Sequence, residues 1–260
     1  MTGAGGRRRE VGGVRRGQGG AGPCGITTCG RTREVVRVEI QWLGHACFLL
    51  TSPGGTRVVT DPFDEQVGYK VKKVTADLVT VSHEHFDHNH VQMVSGSPQV
   101  VRALTPAGDW ADPRASVGDV AVSTVPTYHD PEEGAKRGKN GCFILDMGGL
   151  RVVHLGDLGH VLSSEQAGAF GSVEVLLTPV GGFYTIGPAE ADRVIELLRP
   201  RVVIPMHFKT AANASWPIGG VEEFLRGKQG VRRMGGSVAK VEKAELPAVT
   251  EYWVLEPAWL

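Results

Sequence analysis

Metal-binding side chains are concentrated in the segment LVTVSHEHFDHNH, which spans residues 78–90. An apolar run typical of a buried strand ends there and is followed by His83, His85, Asp87 and His88. Imidazole and carboxylate groups are ligands for zinc, manganese and iron. Because side chains alternate along a strand, His83 and His85 are predicted to point the same way. Asp87 and His88 follow in the turn, where they can serve a second ion. Four of the nine histidines lie in residues 83–90, so a loop that is rich in histidine by chance is the weaker interpretation.

Further candidate ligands stand where predicted strands run out into loops. His129 lies at the end of STVPTYHD, Asp157 at the end of VVHLGD, and His207 near the end of VVIPMHF. His160, in GDLGH, is a weaker fourth candidate. Because α/β proteins place their chemistry at such strand ends, these side chains can complete one site with the histidine-rich segment.

The elements that must position these residues are mainly short strands separated by glycine and proline. The predicted strands are Val36–Trp42, Ala46–Leu50, Arg57–Thr60, Leu78–Ser82, Val100–Leu104, Val120–Val125, Cys142–Met147, Arg151–Leu155, Val173–Thr178 and Val202–Met206. One clear helix is predicted over Pro188–Arg199, because proline suits the first helical position, apolar residues recur at helical spacing and Pro200 ends the run. Early strands followed by alternating helices and strands indicate a sheet-rich α/β sandwich.

Composition places the 260-residue chain among globular proteins, with 41% hydrophobic and 22% charged residues. No apolar run reaches the roughly 18 residues that a membrane-spanning helix needs. The 28 basic and 28 acidic residues balance, but not evenly along the chain. Residues 1–34 hold 11 glycines, seven arginines and two glutamates, so this segment carries +5 and residues 35–260 carry −5.

The segment 1–34 has no hydrophobic periodicity and is predicted to be a disordered tail. A passive tail or a start codon assigned too far upstream is the preferred interpretation; a transit peptide or an RNA contact is the alternative. It lacks the apolar region of a secretory signal, so a cytoplasmic location with reduced cysteines is expected.

The pattern His-x-His-x-Asp-His, followed by a His, an Asp and a His, resembles the metallo-β-lactamase superfamily. The resemblance runs from Val36 to about Leu225. The segments VEIQWLGHACFLL, TDPF and GDLGH are similar to the branch that contains ascorbate-6-phosphate lactonase and the phospholipase D acting on N-acyl phosphatidylethanolamines. This resemblance implies a four-layer αβ/βα sandwich over residues 35–260, with metals at one end of the two sheets.

The resemblance also implies a ligand set for two divalent ions. The first ion would be held by His83, His85 and His129; the second by Asp87, His88 and His207; Asp157 would bridge them. Zinc is the expected metal, with manganese or iron as alternatives. Two such ions can share a water and lower its pKa toward about 7, which makes it a nucleophile. Asp87 would also act catalytically, orienting this nucleophile or carrying its proton.

Four more residues are candidates for supporting roles. Asp61 is expected to orient ligands from beneath the site, or else to be a turn residue before a proline. His45 lies near the mouth of the site or is buried between strands. His160 faces the pocket or packs beside it. Lys209 anchors an anionic substrate or is a solvated surface lysine.

The expected function is metal-dependent hydrolysis of a small-molecule ester or lactone, and an anionic or a neutral substrate is compatible with the sequence. A phosphodiesterase, phospholipase-D-like or less favourably a nuclease, is the alternative, and a non-catalytic metal-binding protein is a second one. Redox relatives carry Glu at the position of His85, so hydrolysis is favoured. The acidic body predicts no nucleic-acid partner, since a basic groove would be needed.

Overall fold

Residues 35–260, together with Met1, are described by a computed structural model, and their strands form two main sheets. The remaining residues of the predicted tail lie outside the described part of the chain. The strands are β1 Arg37–Gly44, β2 Cys47–Thr51, β3 Arg57–Thr60, β4 Val74–Thr75, β5 Leu78–Val81, β6 Val94–Ser95, β7 Gln99–Arg102, β8 Ala115–Val117, β9 Val120–Tyr128, β10 Lys139–Met147, β11 Leu150–His154, β12 Val175–Pro179, β13 Val202–Met206, β14 Val231–Arg233, β15 Val238–Glu242 and β16 Glu251–Val254. The α-helices are α1 Ser164–Phe170, α2 Pro188–Leu198 and α3 Val221–Leu225.

The first sheet has the strand order β15-β1-β2-β3-β5-β7, and the second has β14-β16-β13-β12-β11-β10-β9-β8. Strands β4 and β6 form a separate two-stranded ribbon. Within the first sheet β3, β5 and β7 are parallel, and within the second β11, β12 and β13 are parallel. The carboxyl ends of parallel neighbours meet at one edge, so loops that follow these strands are brought together.

The main hydrophobic core fills the space between the two sheets and continues to the α-helices that pack on the second sheet. Successive side chains of β3 point to opposite faces of the first sheet. Val58 belongs to this central core, while Val59 belongs to a second cluster on the outer face of the sheet. Phe48 and Phe143 are fully buried in the central core. Truncating either phenylalanine to alanine would cost about 3–5 kcal/mol through lost burial and the cavity left behind.

Two outer layers complete the four-layer αβ/βα sandwich. The apolar face of α2 is buried in the main core, and its first turn is closed by Glu190, whose carboxylate accepts a hydrogen bond from the Gly187 N–H. Arg199 ends the helix in the left-handed conformation, with φ of 48°. The outer face of the first sheet is covered mainly by loop segments and the short 3-10 helices Glu65–Val67 and Val91–Met93. Among the described residues, no helix has the length and apolar character needed to cross a membrane.

Three residues next to strand ends have an unusual backbone conformation. His45, Asp61 and His207 are non-glycine residues with positive φ, at 52°, 37° and 50°. Asp61 directly follows β3, and His207 directly follows β13. Such conformations cost of the order of 1–3 kcal/mol each and persist where the surrounding structure imposes them. Their coincidence at one edge of the sandwich marks this edge as the functional end.

Candidate metal centre

Three histidines from two sheets form the first group of candidate ligands. One ligand atom from each of His83, His85 and His129 lies within 4.8 Å of the others. His83 and His85 follow β5, and their Nε2 and Nδ1 atoms are 3.1 Å apart. His129 follows β9 of the opposite sheet and is buried, whereas His85 is exposed toward the cavity. The two sheets therefore contribute to one group that can hold a metal ion.

A second group combines Asp87, His88, His207 and His45, whose ligand atoms also lie within 4.8 Å of one another. All four side chains are buried. His88 Nε2 lies 3.5 Å from Asp87 Oδ2. His207 is brought to the group because its backbone N–H donates to the carbonyl of His45 at 3.1 Å. This arrangement provides one carboxylate and several imidazoles at the position expected for a second ion.

Asp157 lies between the two groups. Its Oδ2 atom is 3.2 Å from His129 Nε2 in the first group. The same oxygen is 3.2 Å from His88 Nε2 and 3.4 Å from His207 Nε2 in the second. The backbone N–H of Asp157 donates to the side-chain oxygen of the buried Asn140, which fixes the loop after β11. The carboxylate is thus placed where it can contact ions in both groups.

Asp61 is fully buried beneath the cluster and holds two of its elements together. Its carboxylate accepts hydrogen bonds from the backbone N–H of Ser82 at 2.8 Å and from the Ser82 hydroxyl at 2.6 Å. It also accepts from Nδ1 of His88 at 2.9 Å, which leaves Nε2 of that ring directed at the cluster. The Ser82 hydroxyl lies in turn 3.0 Å from His83 Nδ1. Contacts of this kind fix the tautomer and orientation of metal-ligating histidines.

His45 was predicted to lie either near the site or buried between strands. Both descriptions apply, because the residue is fully buried and also belongs to the cluster. Its Nε2 atom lies 3.1 Å from Asp87 Oδ2. The ring also lies against Trp216, with centroids 5.3 Å apart. His160 lies outside both groups: its Nδ1 donates to the Val161 carbonyl at 2.9 Å, and its Nε2 accepts from the backbone N–H of Tyr128 at 3.2 Å. It therefore supports the chain just before His129.

Lys209 is exposed, and its backbone N–H donates to the carbonyl of Gly219. It does not line the cavity above the cluster. This cavity has a volume of about 530 Å³. Its lining residues are Glu84, His85, Phe86, Asp87, His129, Arg137, Asp157, Tyr184 and Trp216. Arg137 is a cavity residue that was not predicted from the sequence; the available signal was its place in the polar loop between His129 and β10.

The electrostatics of the cluster favour a cation. Burial alone would raise the pKa of Asp157, but the surrounding histidines, His207 and His88 first, hold it well below its usual range. Burial disfavours the charged form of His88, yet the carboxylates of Asp157 and Asp87 raise its pKa well above the ordinary value. Burial and the neighbouring His207 lower the pKa of His45 to about 4. Positive charge is therefore drawn to the point between two ionised carboxylates, where a proton or a metal ion can supply it.

Several buried polar atoms of the cluster have no hydrogen-bond partner within the described part of the chain. They are Nδ1 of His45, Nε2 of His88, Nδ1 of His129, Oδ1 of Asp157 and both ring nitrogens of His207. Leaving a buried polar atom unsatisfied costs about 1–3 kcal/mol. A set of imidazoles and carboxylates with free ligand atoms at this spacing fits divalent transition metals.

Comparison with known proteins defines the class to which this fold and site belong. The sequence profile of the Beta-lactamase superfamily domain matches residues 39–207, the span that contains every candidate metal ligand. The chain is therefore a member of the metallo-β-lactamase superfamily, as the His-x-His-x-Asp-His pattern predicted. Relatives that are at least 30% identical to this chain and matched over more than four fifths of their own length place it in the UPF0173 metal-dependent hydrolase family, so the chain is a metal-dependent hydrolase.

Three relatives support this assignment. A UPF0173 metal-dependent hydrolase of Archaeoglobus fulgidus is 34% identical over 66% of this chain and 84% of its own length. One from Thermococcus kodakarensis is 30% identical over 69% of this chain and 86% of its own. A crystal structure described as a Zn-dependent hydrolase of the metallo-β-lactamase superfamily from Thermotoga maritima has a TM-score of 0.66 at 38% identity, covering 84% of this chain and 98% of that one.

Proposed function

We propose that the protein hydrolyses a small-molecule ester or lactone with the help of two divalent metal ions. The observation that carries the proposal is the position of Asp157, whose Oδ2 lies 3.2 Å from His129 in one ligand group and 3.4 Å from His207 in the other. A carboxylate shared in this way matches the geometry of two-metal hydrolytic sites. Zinc is the proposed metal, with manganese and iron as alternatives that the same ligands accept.

Each of the two ligand groups would hold one ion. The first ion would be bound by His83, His85 and His129, and the second by Asp87, His88 and His207. Asp157 would be shared between them. Bound there, the ions would supply a hydroxide nucleophile at neutral pH and polarise the oxygen of the scissile group.

The remaining tasks fall to individual side chains. The hydrogen bonds that the buried Asp61 accepts from His88 and Ser82 keep the histidine rings in place. Asp87 lies in the cavity wall, where its carboxylate would orient the nucleophile or carry its proton. Within residues 35–260 a thiol nucleophile is disfavoured, because Cys47 and Cys142 are buried and burial raises the pKa of Cys142 to about 12.

The size of the cavity supports the proposed substrate class. A volume of about 530 Å³ matches a small molecule. The narrower likeness to the ascorbate-6-phosphate lactonase branch supports a lactone, and its phospholipase D member supports a phosphodiester as the second candidate. Location in a reducing cytoplasm stays a prediction from the sequence.

Metal reconstitution tests the proposal. The purified protein is stripped with a chelator, reloaded with zinc, manganese or ferrous iron, and assayed on aryl esters, γ- and δ-lactones and bis(4-nitrophenyl) phosphate. We expect two ions per chain by elemental analysis and metal-dependent hydrolysis of the esters or lactones. Turnover of the phosphodiester alone would move the function to the second candidate. Binding of no transition metal after reloading would overturn the proposal.

A further inference from the structure

We propose that Arg137 binds an oxyanion on the substrate, away from the bond that is cleaved, so that the enzyme selects anionic esters or lactones. This inference rests on the proposed hydrolase function and adds to it the charge of the substrate. Arg137 lines the cavity above the metal centre together with His129 and Asp157. It also lines an adjoining cavity of about 440 Å³, so this residue lies in the wall of two neighbouring cavities.

The guanidinium of Arg137 is available to a ligand. Within residues 35–260, no carboxylate lies within ion-pair distance of it. Its basic neighbours in the same region are already engaged: Lys136 pairs with Glu132, and Lys139 pairs with Asp109 at 2.6 Å. A guanidinium presents a planar set of donors that matches a carboxylate or phosphate, which makes an unpaired one in a cavity wall a suitable anion site.

The loop that carries Arg137 is built to hold it in position. Asp130, only 1% exposed, accepts hydrogen bonds from four backbone N–H groups, including that of Arg137 at 2.7 Å and that of Lys136 at 3.0 Å. The loop closes on the metal centre because the His129 N–H donates to the carbonyl of Gly138 at 3.0 Å. Because the backbone that carries Arg137 is already fixed, less entropy is lost when the side chain binds a ligand.

The surroundings of the guanidinium favour a negative ligand of mixed character. The Cζ atom of Arg137 lies 5.8 Å from the ring centre of Tyr184, which also lines the cavity. The acidic Glu84 in the same wall is held by Arg102, with Nη1 to Oε1 at 2.6 Å. Phe86 and Trp216 add apolar surface to the cavity wall. The cavity therefore fits a substrate that combines an oxyanion with a flat or apolar part.

Two aryl esters that differ in charge test this inference on the metal-loaded, full-length protein. The anionic probe is 4-acetoxybenzoate and the neutral one is 4-acetoxybenzamide; 4-acetoxyphenyl phosphate distinguishes a phosphate preference from a carboxylate preference. The variants are Arg137→Gln and Arg137→Lys, with Lys136→Gln as the matched control in the same loop. Lys209→Gln tests the anchor predicted from the sequence. Metal content and circular dichroism verify that each variant is folded and loaded.

We expect Arg137→Gln to raise KM for the anionic probe about tenfold relative to the neutral probe, because a hydrogen bond to a charged group is lost. Arg137→Lys should recover part of this selectivity, and the difference should shrink as salt rises. Titration calorimetry with the products 4-hydroxybenzoate and 4-hydroxybenzamide provides a readout independent of turnover. The same loss of anion preference is expected there.

Failure of this inference and failure of the hydrolase function give different results. If wild-type protein binds metal but cleaves none of the probes, the calorimetric comparison still measures the charge preference of the cavity. Equal changes for the anionic and neutral compounds in Arg137→Gln would overturn the inference, as would an equal effect of Lys136→Gln. A loss of anion preference in Lys209→Gln alone would assign the site to Lys209 instead.

Discussion

His45 Nε2 lies 3.1 Å from Asp87 Oδ2, and the carbonyl of His45 accepts the backbone N–H of His207. One residue on the turn between β1 and β2 thus contacts two members of the second ligand group through different atoms. Its own backbone has a φ of 52°, so the contact is made at the cost of local strain. The position of His45 is therefore tied to the geometry of that group.

We predict that His45→Ala lowers the affinity for one of the two ions by about 10- to 100-fold while the other ion stays bound. The reason is that Asp87 loses the partner that orients its carboxylate, and the group loses one imidazole. Competitive titration with a chromophoric chelator measures both affinities. His90→Ala, which changes a histidine outside both groups, is the control. Equal loss of both ions in His45→Ala would contradict the assignment to one group.

Asp157→Ala should be the most damaging single ligand change, because both groups lose the carboxylate between them. We expect kcat/KM for an ester substrate to fall by more than the roughly 100-fold that loss of a supporting contact produces. Metal content should fall toward one ion or none per chain. The control is Asp112→Ala, which removes an exposed carboxylate. If Asp157→Ala keeps two ions and full turnover, Asp157 is not a ligand of the metal centre.

Asp130→Ala is predicted to loosen the loop over residues 131–138. Four backbone N–H groups lose their acceptor, which weakens the closed loop by about 1–2 kcal/mol. Trypsin should then cut after Lys136 or Arg137 about tenfold faster, because cleavage follows the population of the open loop. Mass spectrometry of the fragments locates the cut. Asp130→Asn keeps one oxygen acceptor and should lie between wild type and alanine; identical cleavage rates in all three proteins would show that the carboxylate does not hold the loop.

Asp119 gives a pH-dependent contribution to stability away from the metal centre. Burial opposes ionisation, but hydrogen bonds from the Ser52 hydroxyl and the Gly54 N–H outweigh it and lower the pKa of Asp119. A carboxyl whose pKa is lower in the folded state stabilises the fold above its unfolded pKa of about 3.9 and loses this contribution as pH falls through the folded value.

Asp119→Asn should therefore lower the free energy of unfolding at pH 7 by about 1 kcal/mol. The difference from wild type should shrink as the pH drops below about 4. Urea unfolding of both proteins at a series of pH values measures it. Asp112→Asn, at an exposed position, is the control. A difference that grows toward acid pH would show that the sign of the pKa shift is wrong.

Local sequence patterns determined much of the fold. Strands Arg57–Thr60 and Val202–Met206 have the predicted bounds, and α2 ends one residue before the predicted limit. These segments are readable because apolar periodicity, proline positions and helix-end charges act within a few residues. The short strands β14 and β16 were not predicted, since their residues acquire a strand conformation through pairing with each other and with β13.

The sequence by itself also determined which side chains are candidates for the metal centre, because ligand chemistry is a property of residue type and strand ends are visible in the pattern. Only the tertiary structure decided which residues share a cavity. Arg137 lines it and Lys209 does not, although Lys209 is the one that stands two residues from His207. The path of the loop before β10 is set by the four hydrogen bonds to Asp130, and the exposure of Lys209 by its pairing with Gly219 and Gly220. Such contacts depend on backbone geometry after folding, which residue spacing does not encode.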